Sequence, residues 1–406
     1  MKDKKRILFI STVNLTTNPR ILKEIKLADS LGYETAFIGF NLGNWSDDID
    51  KEFKKNMPGV NFTYLNATRS PFMPWFISTC VEKVSKLFYQ LSSSNLKLSS
   101  FATSKRSFLL LQYFKKKNTV DKRPDIIVAH TLGTLYPAYW YAKRANTKFA
   151  FDVEDYHPWE SIRGNSIHEV KRRETILMQI LPQALYVTAA APLIAKQLDR
   201  LVRNVHAITV YNSFPKAEFV LPVKMETEKI KLVWFSQNIN AGRGLEIILQ
   251  IWEELKSNFE LTLIGKSDQQ FYDQYLKAHP DIILVQPMQQ SALHEFLSGF
   301  DIGLAIDIDN DDKNRSLVIT NKILAYYQAG LYIVATNTPA QQQFIQDHPG
   351  HGTVIEQNAD AALKNFLTIT TSKTEIRRSA EIRFKSASEF NWENESYLLA
   401  KAWEEV

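Results

Sequence analysis

Two series of short apolar runs, spaced by segments of helical period, are the feature that most limits how this chain folds. In the first, RILFIS precedes NPRILKEIKLADSLGY, where Ile21, Leu22, Ile25, Leu27 and Leu31 recur at helical spacing. TAFIGF, PDIIVAH, a helix through LYPAYWYAKRA, KFAFDVED, LYVTAA, a helix from PLIAKQL and HAITVYN continue it. The second series runs KLVWFSQ, helix GLEIILQIWEEL, FELTLIG, a polar helix, DIILVQP, helix SALHEFLSGF, DIGLAID, NKILAYYQAG, LYIVAT and VIEQ. Strands buried on both faces read as unbroken apolar runs, and helical crossovers make them parallel. The expectation is an α/β chain of two Rossmann-like, doubly wound parallel-sheet domains facing one another. Their predicted bounds are 1–213 and 231–385. SFPKAEFVLPVKMETEKI reads as the linker, and the amphipathic segment within 386–406 as a helix packing back on the first domain.

A doubly wound domain binds its ligand beyond the C-terminal ends of its strands, so residues just after strands are the site candidates. VITNKILAYYQAGLYIVAT shows this best. Thr320 or Asn321 is suited to cap a helix by accepting a backbone N–H, while Ile323, Leu324, Tyr326 and Tyr327 form a buried stripe. Gly330 supplies the left-handed residue that stops it before a buried strand. The first N–H groups of such a helix point at the crevice and attract anions. Lys322 in that first turn opposes the helix dipole, which calls for a nearby negative group. Gly242, Arg243 and Gly244 follow the first strand of the same domain. Small residues let backbone amides approach an anion, and a guanidinium adds a fork of donors suited to phosphate. The plainer readings are an arginine in a surface turn and a solvated lysine. Together the two elements fit a diphosphate better than a carboxylate.

In the first domain, His130 ends the strand DIIVAH, and Asp152, Glu154 and Asp155 lie in FDVEDYHP ahead of His157. Acids and imidazoles at strand ends can orient or deprotonate a hydroxyl. The alternative is a hydrogen-bonded core histidine beside acids that cap a helix. Arg20 reads equally as a cleft residue or a solvated one. No metal site is expected: the histidines are scattered, and DIDNDDKN lacks the glycine and terminal glutamate of a calcium loop. That acidic run reads as a mobile loop over the cleft. No nucleophilic cysteine or G-x-S-x-G elbow is apparent.

Charge is placed unevenly. Residues 69–118 hold nine Lys/Arg and one acid, Glu82, a net +8 in a chain whose total is +5, leaving −3 elsewhere. The same stretch contains PFMPWF, with Trp75 and Phe76, and SFLLLQYF. Ile77, Val81, Val84, Phe88 and Leu91 mark one apolar helix face, with Lys83 and Lys86 off it. This basic, aromatic insertion suits either an anionic membrane surface or a core-packing helix with a solvated basic face. No recognition module for nucleic acid accompanies it. The single cysteine, Cys80, and the absence of an export signature point to a cytoplasmic chain, peripheral at the inner membrane face if the insertion binds lipid. Ile176–Ala195 is uncharged, but Pro182, Pro192, Gln179 and Gln183 make it a helix end, buried strand and helix start.

Taken in order, NPRILKEI, VAHTLGTLYPAYWYAKR, FDVEDYHPWE, VYNSF, GRGLE, LTLIGKSD, DIGLA, NKILAYYQAG with LYIVAT, and FNWENE resemble the GT-B nucleotide-sugar glycosyltransferases. The likeness is to the retaining, family 4-like group related to sucrose synthase and bacterial mannosyltransferases, and it runs nearly the full length. It implies a donor diphosphate at Arg243 and the Asn321 helix start, with Gly265 lining the nucleotide site and His130 near the transferred sugar. Catalysis without a metal is also implied, as is a nucleotide-diphosphate sugar as co-substrate and no other cofactor. The expected partners are that donor and a glycan or lipid-linked acceptor, as in surface glycan or glycolipid assembly. Two departures stand out. Leu317 and Ala325 occupy the places of the family's E-x7-E glutamates, and Gln237 that of a basic residue after the first strand of the second domain. A non-catalytic partner of another transferase and a nucleotide-sugar epimerase are the alternatives.

Overall fold

In a computed structural model, residues 4–89, 95–116, 123–160, 167–223, 227–308 and 313–406 are described. Leu91 and the loop positions Asn310 to Asp312 lie outside them. The chain forms two compact units, one of Met1–Val210 with Ser396–Val406, the other of Tyr211–Glu395.

The first unit carries β1 (Arg6–Ile10), β2 (Glu34–Asn41), β3 (Asn61–Asn66), β4 (Ile126–His130), β5 (Lys148–Val153), β6 (Val187–Ala189) and β7 (Ile208–Thr209). They pair in the order β3-β2-β1-β4-β5-β6-β7, every pair parallel. β1, β4 and β5 are buried almost throughout, as their unbroken apolar runs require. The Pro19–Ser30 helix opens on Asn18, whose side chain accepts from Ile21 N, with Pro19 in the first turn. Ile176–Ala195 forms a helix end at Ile180, a short 3-10 turn, β6 and the start of the Pro192–Leu201 helix. Trp403 of the Tyr397–Glu404 helix packs edge-on against Phe9 and Tyr33 and donates from its indole to the Tyr186 hydroxyl at 2.8 Å. That aromatic anchor ties the last eleven residues, 396–406, to this unit.

The second unit carries β8 (Ile230–Ile239), β9 (Phe259–Ser267), β10 (Ile283–Val285), β11 (Ile302–Ala305), β12 (Tyr332–Thr336) and β13 (Gly352–Ile355), paired β10-β9-β8-β11-β12-β13 and again all parallel. The stretch expected to be a free linker is part of it. Phe214 N donates to Gln328 Oε1, and Val223 N donates to Ser298 O. Residues 386–395 stay here too, because Trp392 N donates to Phe214 O. The helix expected over GLEIILQIWEEL is broken at Ile251 into Leu245–Gln250 and Trp252–Leu255.

In both sheets the strand order reverses beside the first strand, between β1 and β4 and between β8 and β11. This reversal opens a crevice beyond the strand ends, where helices leave on opposite faces.

Candidate active site

The crevice of the second unit is built by a turn and a helix start. β8 leads into Gly242–Gly244, with Gly242 and Gly244 both left-handed (φ 79 and 84). A Cβ on Gly244 would lie 3.0 Å from the Ile306 carbonyl carbon, so only glycine lets this turn rest on the end of β11. Glu246 Oε1 accepts from Gly242 N at 2.5 Å and holds the turn. Arg243 is exposed, its Nε donating to Asn240 Oδ1 at 3.1 Å.

The Asn321–Gln328 helix is docked by Tyr326, whose ring fills the space a Cβ would take at Gly303 of β11. The Tyr326 hydroxyl donates to Val233 O at 3.2 Å, so the helix start is held over the β8–β11 crossover. It ends at Gly330 (φ 72), with Leu331 N donating to Tyr326 O. The expected side-chain cap is not formed. Thr320 takes the capping position, but its hydroxyl accepts nothing and is buried without a hydrogen-bond partner among the described residues. Asn321 Oδ1 instead accepts from Asn212 Nδ2 at 3.0 Å.

Lys322 is buried, not solvated. Its Nζ lies 4.0 Å from Asp307 Oδ1 and 5.5 Å over the Trp234 ring. Asp307 is therefore the negative group that the lysine's place in the helix called for. It is held by Gln341 Nε2, which donates to its Oδ2 at 2.9 Å. Burial lowers the Lys322 pKa; Asp307 opposes the shift, and the charges of Arg243 and Arg315 reinforce it. Arg315 was legible only as part of a loop. Its guanidinium donates to Gly242 O at 3.2 Å and approaches Ile308 O at 3.4 Å, which brings it to the same turn as Arg243. Three cations and a helix N-terminus thus meet around one carboxylate, an arrangement whose excess positive potential favours an anion. Gly265 is buried against the Ser236 carbonyl, where its missing side chain lets β9 pass close to β8. Leu317 and Ala325, where the resemblance led one to look for glutamates, are both buried.

The crevice of the first unit holds a buried ionic cluster. Arg20 is neither in open solvent nor free. Its Nε and Nη2 donate to the two Asp152 oxygens at 2.7 and 2.8 Å, and Nη1 donates to Val210 O at 2.7 Å. Thr188 donates to the same carboxylate. Burial alone raises a carboxyl pKa, but Arg20 and His130 hold Asp152 below its ordinary value. His130 is fully buried, with Nε2 3.2 Å from Glu24 Oε2 and Nδ1 3.2 Å from Glu154 Oε1. Burial disfavours the imidazolium; Glu24, the hydrogen bonds of Glu154 and Glu24, and Asp152 outweigh it and lift the pKa to about 10. The raised pKa favours the imidazolium, which donates from both ring nitrogens, and the side chain is fully buried in this conformation. Glu154 is its outlet, with a side chain 29% exposed. Asp155 is half-buried beside it, and His157 is buried against Glu160 Oε2 at 2.9 Å. Glu24 escaped the sequence reading. Its trace was a charged residue set among Ile21, Ile25 and Ala28 on the buried stripe, four residues after Arg20. Glu24, His130 and Asp152 would also suit a cation, but the Arg20 guanidinium already fills that role at Asp152.

The raised His130 pKa sets a pH dependence. The native state binds this proton more tightly than the unfolded chain does. The resulting stabilisation is whole below the free value of 6.5 and disappears as pH climbs through about 10. Denaturant unfolding across that range is expected to lose stability on the alkaline side, and His130→Gln is expected to flatten the loss. An unchanged alkaline slope in the variant would contradict the assignment.

The fold, two parallel-sheet α/β units, is the one seen in GT-B glycosyltransferases. HepE from Anabaena, solved in complex with UDP, is similar at a TM-score of 0.66 and 12% identity, over 99% of this chain and 100% of that one. Sucrose-phosphate synthase from Thermosynechococcus elongatus gives 0.66 and 12%, over 99% of each chain. The lipopolysaccharide outer core galactosyltransferase WaaB gives 0.60 and 14%, over 99% of this chain and 100% of that one. No protein-family model and no curated protein sequence matches. At these identities the likeness establishes the fold alone.

Proposed function

We propose that this protein transfers a sugar from a nucleotide-diphosphate sugar to a hydroxyl of a glycan or lipid-linked acceptor. The observation that carries the reading is the convergence of Arg243, Arg315 and Lys322 on the start of the Asn321–Gln328 helix, at the switch point of the second sheet. Gly242, Arg243, Gly244, Arg315, Thr320 and Asn321 hold the diphosphate, and the buried Lys322 adds its charge from beneath. The helix dipole and the cations stabilise the leaving group as charge builds on it, in place of a metal. Retention at the anomeric carbon belongs to the same reading. The nucleotide-sugar donor draws support from a neighbour of this fold: HepE has been solved with UDP and with UDP-glucose. Glu154 and Asp155, at the end of β5, orient the acceptor hydroxyl, and His130 acts as a positioning residue through Glu154.

Calorimetry with a panel of nucleoside diphosphates is the test. One nucleotide is expected to bind, and Arg243→Ala to lose about 1.5–3 kcal/mol, the worth of a charge-assisted bond. Because the glutamate positions hold Leu317 and Ala325, a non-catalytic partner of another transferase is the second reading. Nucleotide binding with no turnover of any nucleotide sugar would favour it, and no nucleotide binding at all would remove the first.

A further inference from the structure

We propose that the Phe72–Tyr89 helix of the first unit is a docking surface for an anionic lipid bilayer. The helix is inverted relative to the core-packing alternative. Its inward positions are Ser78 (0% exposed), Ser85 (3%) and Tyr89, whereas Phe72 (59%), Phe76 (46%), Val84 (51%) and Leu87 (63%) face outward. Met73, Ile77 and Phe88 are exposed with them. At 100° per residue, positions 72 to 88 of this set fall within one arc of roughly 160°. A water-facing helix normally turns such an arc toward the core and its serines outward.

The surroundings indicate what covers it. Phe72 stacks on Phe76 at 5.5 Å and leans on Trp75 at 5.7 Å, an aromatic end suited to the headgroup level. Arg69 and Lys105 sit over the Trp75 ring at 5.4 and 5.5 Å. Lys83 and Lys86 are exposed along one edge of the arc, placed to reach headgroups while the apolar residues enter the acyl boundary. The only acid of residues 69–118, Glu82, lies off the arc, tied to Lys86. The charges placed around the arc, Arg69, Lys83, Lys86 and Lys105 against Glu82, sum to +3 and are complementary to anionic lipid, whereas a second copy would oppose like charges. The contact is peripheral: among the described residues no helix is long and apolar enough to cross a membrane.

Cys80 is exposed in the middle of the arc and is the chain's single cysteine, so an environment-sensitive fluorophore can be placed there on the full chain. With vesicles of phosphatidylcholine and phosphatidylglycerol, a blue shift and co-sedimentation are expected, both weakened by salt and both small with phosphatidylcholine alone. Lys83→Glu with Lys86→Glu is expected to reduce binding about tenfold or more. Phe76→Ser with Leu87→Ser is expected to abolish it, with unfolding unchanged because all four side chains are exposed. An unshifted fluorophore on anionic vesicles would overturn the proposal, as would equal sedimentation of all variants. So would a concentration-dependent dimer that shields Cys80 without lipid. None of these readouts involves a nucleotide, so this proposal and the glycosyl-transfer reading fail independently.

Discussion

Arg20→Met is expected to cost the first unit about 3–5 kcal/mol, the toll of leaving a buried charge without its partner. The Asp152 carboxylate takes both guanidinium bonds at 2.7 and 2.8 Å, and neither side chain reaches solvent. Methionine fills much of the arginine's volume, so the loss would report charge and not a cavity. Without Arg20, the His130 imidazolium is the one cation left beside the buried Glu24 and Asp152 among the described residues. Hydrogen exchange of the β4 and β5 amides measures the effect locally, which avoids assuming that two units unfold as one. Adding Asp152→Asn removes the stranded charge and is expected to restore most of the stability. A loss under about 1 kcal/mol for Arg20→Met would mean that water reaches the cluster and that it is not a low-dielectric site.

That cluster shows where sequence reading reached and where it stopped. Strands such as DIIVAH and LYIVAT were legible because burial on both faces leaves an unbroken aliphatic run between their polar ends. β3 was not: NFTYLN is an edge strand, half-exposed, whose anchoring comes from Phe62 and Tyr64 packing on Phe37, a contact that only tertiary structure creates. At the sites, position in the fold was legible and side-chain state was not. His130 falls at the end of β4, as its place in DIIVAH required. The two carboxylates that share its hydrogen bonds come from positions 24 and 154, and nothing local to residue 130 announces them. Lys322 was legible as a charge against a helix dipole, but its burial over Trp234 was not. The apolar arc of the Phe72–Tyr89 helix was visible as a pattern, yet a pattern carries no direction. Only packing shows that the serines turn inward.

Combining Arg243→Ala with Arg315→Ala is expected to weaken nucleoside-diphosphate binding more than a hundredfold. Each guanidinium offers charge-assisted bonds worth about 1.5–3 kcal/mol, and the sum falls short of additive because both would serve one anion. Both side chains are exposed, and both charges lower the Lys322 pKa, so their removal relieves repulsion in the unliganded protein. Stability is therefore expected to hold or rise while affinity collapses, a pairing that misfolding would not produce. The same logic fixes a pH dependence. A bound diphosphate favours the charged form of Lys322, whose pKa burial has lowered, so binding takes up a proton once pH exceeds that value. Wild-type affinity is then expected to fall on the alkaline side earlier than an ordinary lysine would allow. In the double variant, with the repulsion gone, the fall is expected to begin at higher pH. Calorimetry of UDP across alkaline pH measures both, with repeats in buffers of different ionisation enthalpy to count protons. Equal affinities for wild type and double variant would place the anion elsewhere and remove the basis for reading this turn as the donor site.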